Sequence, residues 1–205
     1  RVYALFGLLS AALIRSLPRQ RLTVTTKVTA PPLRNERRNG WLYAAFIALF
    51  TFVSSGTSTH LPEFIASFGL PVTIGILWGI GQTGARSLEV LAGARLTPFK
   101  LTLFTALAMP LCFLIGLSST RFAWCAAGFV LGFGAINGLM TIVKANLPLE
   151  LFSVESYARR TGMLLIPGQL TAAASPFACA WLNKTLGIAG TMWVSTGLTL
   201  VIAGL

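Results

Sequence analysis

The sequence predicts an all-α fold, a polytopic membrane helix bundle, on three observations. Hydrophobic residues make up 55% of the 205 and charged residues only 10%, whereas about a quarter of a soluble domain is charged. The mean hydropathy is +0.76. The apolar residues also gather into consecutive runs near the ~20 residues a helix needs to cross a bilayer, not the ~10-residue strictly alternating segments of barrel strands.

The elements follow in order. Residues 2–14 are too few for a full span and read as the end of a truncated transmembrane helix. Residues 15–40 form a basic linker in which Arg15, Arg19, Arg21, Lys27, Arg34, Arg37 and Arg38 face a single Glu36. Six full spans are expected after it, at residues 41–68, 71–92, 101–117, 122–143, 163–181 and 186–205, making 41–205 a six-helix transmembrane bundle. Pro110, Pro167 and Pro176 fall inside spans, where neighbouring helices satisfy the backbone groups they free, so kinks rather than breaks are expected. The chain starts at Arg1 rather than Met and ends in an apolar run at Leu205, and both ends read as cut.

Lys and Arg set the orientation. If the linker is cytoplasmic, its seven positive residues are joined by Arg95, Lys100, Lys144, Arg159 and Arg160, against Arg1, Arg121 and Lys184 outside. Trp41, Tyr43, Trp124 and Trp181 lie near expected helix ends, where amphipathic rings favour the interface. A net charge of +11 would suggest nucleic-acid binding in a soluble protein. The linker has no aromatic residue on which bases could stack, so its expected partner is anionic lipid and not nucleic acid.

The most informative span carries Gly75, Trp78, Gln82, Arg86 and Glu89. At 100° per residue they fall within an arc of about 80°, so one helix face holds an amide, a guanidinium and a carboxylate. Such groups face a bundle interior or an aqueous cavity rather than lipid. Arg86 and Glu89 are three apart and can pair. One reading is a structural ion pair that fixes packing; the other has Arg86 contacting an anionic group of a solute, with Glu89 orienting it or carrying a proton. Gly79, Gly81 and Gly84 spell G-x-G-x-x-G but sit mid-span, without the strand or acidic residue of a dinucleotide site, so close helix contact is expected. Gly128, Gly132, Gly134 and Gly138 carry the same expectation.

His60, after the hydroxyl run 54–59, is either a protonatable group in a solute path or a histidine at the membrane interface. Asn137 and Gln169 suit interhelical hydrogen bonds or, less directly, ligand contacts. No catalytic constellation, metal motif or cofactor signature occurs, so no enzyme activity, metal or cofactor is expected. Cys112, Cys125 and Cys179 lie far apart in apolar runs and read as packing or lipid-facing residues, not zinc ligands or disulfides.

These features resemble the carboxyl-terminal half of a major facilitator superfamily transporter, from the end of helix six through helix twelve. The resemblance rests on the six spans behind a basic linker. It rests also on His60-Leu61-Pro62 with Phe68-Gly69-Leu70-Pro71, on Gly81-Gln82 with Ala85-Arg86 and Glu89, and on residues 147–152 followed by 157–162 as the connection between helices ten and eleven. Residues 93–100 keep the Gly and basic residues of that superfamily's gate motif but lack an acidic one. The resemblance implies secondary active transport of a small solute by alternating access, in the cell membrane, the bacterial inner membrane for the members it is most like. Gln82, Arg86 and Glu89, with His60, Asn137 and Gln169, would line the cavity, and Arg86 would favour an anionic solute. The substrate would lie between two halves, which implies a missing amino-terminal half or a second subunit as partner. The competing expectation is a non-transporting membrane scaffold or partner-binding half-protein.

Overall fold

A computed structural model describes residues 36–91, 97–152 and 154–205. The expected partial span at 2–14, most of the basic linker and residues 92–96 lie outside the described residues. Among the described residues every regular element is helical: α1, Glu36–Ser67; α2, Ile76–Leu91, preceded by a 3-10 turn; α3, Pro98–Leu117; α4, Ala123–Leu151; and α5, Val154–Ala203. Four helical stretches are long and apolar enough to cross a membrane, Arg38–Ser67, Pro98–Leu117, Ala123–Leu151 and Arg160–Ala203. This is an integral membrane protein by composition and helix length.

The ends of these helices follow from local chemistry. α1 closes in a Schellman turn, in which Leu70 N–H donates to Ile65 O and Gly69 N–H to Ala66 O, at 3.4 and 3.0 Å. That turn requires a left-handed residue, which Gly69 supplies at φ 72°. Pro71, which cannot continue a helix, follows it. Thr97 caps α3, its hydroxyl accepting from Lys100 N–H at 3.4 Å, with Pro98 in the first turn where its missing N–H does no harm.

Several boundaries differ from expectation. α1 begins at Glu36, inside the expected linker. Residues 144–151, expected to lie in a loop, continue α4 through Pro148. Proline has no N–H to donate four residues back, so the Lys144 carbonyl is freed. The Tyr43 hydroxyl donates to it at 3.3 Å, and the helix runs on. Tyr43 is therefore buried at 3% exposure rather than standing at the membrane interface, while Trp41, Trp124 and Trp181 are exposed. The connection to α5 shrinks to the two residues between Leu151 and Val154, so that the expected loop at 157–162 is helix as well.

α5 is helical over 50 residues except at Gly187, whose φ of 71° and ψ of 174° break it into two arms. In the first arm, Thr171 donates to Ala48 O and His60 reaches Pro176 O, so this arm runs parallel to α1. In the second, Thr191 borders the same small void as Thr57, whereas Ile202 borders a cavity with Tyr43 and Phe46. The second arm thus runs antiparallel to α1, and the chain doubles back at Gly187. Analogous pairs fix the rest. Tyr43 with Lys144 and Ser54 with Asn137 make α1 and α4 antiparallel. Gly116 beside Phe129 with Cys112 beside Gly132 does the same for α3 and α4, while Trp78 beside Gly134 and Gln82 beside Gly138 set α2 parallel to α4. Each helical arm therefore runs opposite to the one before it.

The core centres on α4. Phe113, Phe129 and Phe133 are each fully buried and touch one another, with ring centroids 5.5 to 6.2 Å apart. Two glycine pairs on α4 face different neighbours: Gly128 and Gly132 lie against Ile115 and Cys112 of α3, Gly134 and Gly138 against the backbone of α2. Small residues at such contacts let backbones approach closely, the main packing device where lipid removes the hydrophobic gain from helix association. Gly81 is part of the same contact, but Gly79 and Gly84 meet nothing within 4 Å. One glycine of the G-x-G-x-x-G run thus serves helix contact. The three cysteines are free, with Cys112 and Cys179 buried in packing positions.

Candidate functional site

The polar arc of α2 is turned toward α4. The carbonyls of Trp78 and Gln82 lie against Gly134 and Gly138, so the helix sits too close to α4 for the intervening side chains to pack between them. Gln82 and Glu89 are half-buried at the margin of this contact, and Arg86 is exposed. An open groove runs beside the arc along Ile76, Gly79, Ile80, Thr83, Gly84 and Ser87. At 100° per residue, Arg86 stands roughly 20° from Gly79, at the border between packed face and groove.

Arg86 makes one hydrogen bond among the described residues, from Nε to Gly138 O at 3.4 Å, beyond the usual 2.7–3.2 Å for N–H···O. That carbonyl also accepts from the Thr141 hydroxyl at 2.7 Å. Four of the five guanidinium N–H donors thus have no protein partner among the described residues. The expected pair with Glu89 does not form: spacing of three permits contact, but Arg86 reaches across to α4 instead. The one ion pair seen between described side chains is His60 with Glu63.

Asn137 sits one residue before Gly138, on the turn of α4 that meets both α1 and α2. Its amide donates to Phe133 O at 2.8 Å, and its side-chain oxygen accepts from Ser54. Ser54, Asn137, Gln82 and Arg86 therefore collect around one turn of α4. His60 lies six residues further along α1, about 9 Å away by helical rise, and bonds to α5 rather than α4. Its Nδ1 is 3.0 Å from Glu63 Oε2 and its Nε2 is 3.1 Å from Pro176 O. Gln169 is exposed on the first arm of α5 and has no hydrogen-bond partner among the described residues. The six sequence-chosen residues thus fall into a group of three on α2 with Asn137 beside them, a separate His60, and an outlying Gln169. None lines the cavity of about 300 Å³ between α1, α3, α4 and the end of α5, which is walled by apolar side chains such as Phe46, Phe99 and Ile202.

Sequence reasoning missed the hydroxyl groups that join α1 to α5. Pro176 frees the Ala172 carbonyl as Pro148 frees that of Lys144, and Ser55 donates to it at 2.9 Å. Ser175 donates to Phe52 O and Thr171 to Ala48 O. A signal existed: each mid-span proline marks a free acceptor four residues earlier, and the run 54–59 is a row of donors.

Compared with known proteins, the chain matches no family model, no curated protein and no solved structure.

Proposed function

We propose that the chain is one half of a secondary active transporter, a carboxyl-terminal half like those of the major facilitator superfamily, carrying a small anionic solute across a cell membrane by alternating access. The observation that carries this reading is the Arg86 guanidinium: it is on a helix of a membrane protein, exposed, and among the described residues it has no carboxylate partner and is held by one long hydrogen bond. Charge so placed is expensive in lipid and marks a ligand path in most membrane proteins. Arg also presents paired donors that fit carboxylate or phosphate oxygens.

The alternation of helix directions supports six passes. α2 with its 3-10 turn comprises 20 residues, and the two arms of α5 each make one pass about Gly187. In this reading the starts of α1, α3 and α5 are cytoplasmic, where Arg38, Lys100 and Arg160 lie, and anionic lipid meets the basic linker. The scaffold alternative drew on an Arg86–Glu89 packing pair, which is absent.

The test is solute uptake into vesicles holding this chain together with its other half. Screened against small carboxylates and phosphate esters, Arg86→Ala should insert normally and lose roughly tenfold or more of uptake, the scale of a lost charged hydrogen bond. Arg86→Lys should recover only part, because a point charge does not reproduce bidentate geometry. Wild-type uptake by Arg86→Ala contradicts the assignment.

A further inference from the structure

His60 faces a hydrogen-bond acceptor on each side. Its Nδ1 lies 3.0 Å from a Glu63 carboxylate oxygen and its Nε2 3.1 Å from the Pro176 carbonyl. A neutral imidazole has one N–H and one bare nitrogen. With either tautomer, one of these contacts would set a lone pair against a lone pair unless the carboxyl carried the proton. Glu63 is 61% exposed while the His60 side chain is 13% exposed, and a carboxylate open to water keeps its charge. The arrangement is satisfied when the ring is doubly protonated and donates both ways.

The surroundings are consistent with a site for one proton. On α1 the titratable group facing the ring is Glu63. On the first arm of α5 the Cys179 thiol borders the neighbouring void with Gly56, Thr57 and Ser175 and lies within electrostatic reach of Glu63. The second arm brings the hydroxyls Thr191 and Ser195 to the neighbouring void. Neither His60 nor Glu63 has a Lys or Arg partner among the described residues. The ring also bridges two helices, since Pro176 lies next to Ser175, whose hydroxyl bonds back to Phe52 of α1.

We propose that His60 and Glu63 form a proton-binding site, with the bound proton on Nδ1 and the Pro176 carbonyl holding Nε2–H. Loss of that proton to water, through the exposed Glu63 carboxylate, leaves Nδ1 bare beside a negative oxygen, so the His60–Glu63 contact is present at low pH and opens as pH rises. The bond to Pro176 survives in both states and keeps the ring at the α1–α5 contact, where a change in local charge acts on two helices at once. Use of this proton as the coupling ion rests on the transport reading above; its presence does not.

His60 is the single histidine of the chain, so its state can be read without ambiguity. The chain is produced with ¹⁵N-labelled histidine, placed in lipid nanodiscs, and its ring nitrogens are followed by NMR from pH 5 to pH 9. The expected result is two protonated nitrogens at the acid end of this range, with Nδ1 alone losing its proton as pH rises. Glu63→Gln, conservative and exposed, should leave Nε2 protonated and strip Nδ1 of its proton at a pH where the unaltered chain still holds it. Loss of Nε2–H before Nδ1–H in the unaltered chain overturns the proposal, as does a spectrum that Glu63→Gln leaves unchanged. A doubly protonated ring in a protein that takes up no solute supports the proton site and counts against the transport reading alone.

Discussion

The two principal contacts of the bundle are built from different chemistry. α2 meets α4 through bare backbone: Gly81, Gly134 and Gly138 each stand where a Cβ would come within 2.1 to 2.4 Å of a carbonyl oxygen across the interface. α1 meets the first arm of α5 through hydroxyls, with Ser55, Thr171 and Ser175 each donating to a carbonyl of the opposite helix. A glycine contact has one arrangement, because any shift drives backbone into backbone or opens a gap. The α1–α5 contact has tight glycines too, Gly56 against Ser175 and Gly168 against Ile47, but its hydroxyl donors rotate and find new acceptors, so it has more ways to adjust than the bare-backbone α2–α4 contact. The polar group that the transport reading needs in a fixed place, Arg86, is on the rigid side, and the proposed proton site is on the adaptable side.

The sharpest way to break this contrast is to add one carbon to the rigid side. Gly134→Ala should destabilise the protein by about 3 kcal/mol, the upper range for overpacking, since its Cβ would lie 2.1 Å from Trp78 O. Thermal unfolding in detergent reads this directly. A loss below about 0.5 kcal/mol would mean that the helices stand too far apart for Gly134 to meet the Trp78 carbonyl.

Where a hydroxyl serves a carbonyl freed by proline, at the α1–α4 contact as well as at α1–α5, the effect is smaller and has a partner. Tyr43→Phe should cost about 1 kcal/mol by leaving the Lys144 carbonyl without a donor. In a Pro148→Ala background the restored N–H satisfies that carbonyl, so the same substitution should cost close to nothing, a coupling visible in a double-mutant cycle. Ser55→Ala and Pro176→Ala form the equivalent cycle on α5. Additive losses in both cycles would remove the claim that the hydroxyls serve proline-freed carbonyls.

The smallest effect sharpens the comparison within one motif. Gly79→Ala and Gly84→Ala meet no atom within 4 Å and should be neutral or stabilising by up to about 1 kcal/mol, the helix-propensity difference between Gly and Ala. Gly81→Ala, two residues from Gly79, should behave like Gly134→Ala.

Much of this architecture was legible in the hydropathy pattern, because four of the five described helices contain a stretch long and apolar enough to cross a membrane, and such a stretch has to be helical in lipid. The turns at Gly69 and Gly187 fell within a residue or two of the expected connections. Helix ends beyond the apolar runs were not legible: the polar stretches at 144–151 and 154–162 carry helix-compatible residues that hydropathy scores as loop. The partner of a given side chain was not legible either. Spacing placed Gln82, Arg86 and Glu89 on one face, but it suggested an Arg86–Glu89 pair where the close approach of α4 draws Arg86 to Gly138. Tyr43 looked like an interfacial aromatic from its position near a helix end, and its burial follows from a proline 105 positions later in the chain, a relation that no local pattern encodes.

The central claim is that Arg86 borders water inside the membrane and not lipid. The most direct measurement is the reaction of Arg86→Cys with a membrane-impermeant, negatively charged thiosulfonate, in a chain whose Cys112, Cys125 and Cys179 have been replaced and which is held in sealed vesicles. Leu107→Cys, on an exposed apolar face of α3 away from the apolar cavity between α1, α3, α4 and α5, serves as the reference. Fast modification is expected at 86 and none at 107. Equal resistance at both positions would contradict the claim and make Arg86 a lipid-facing or packed residue with no part in a solute path.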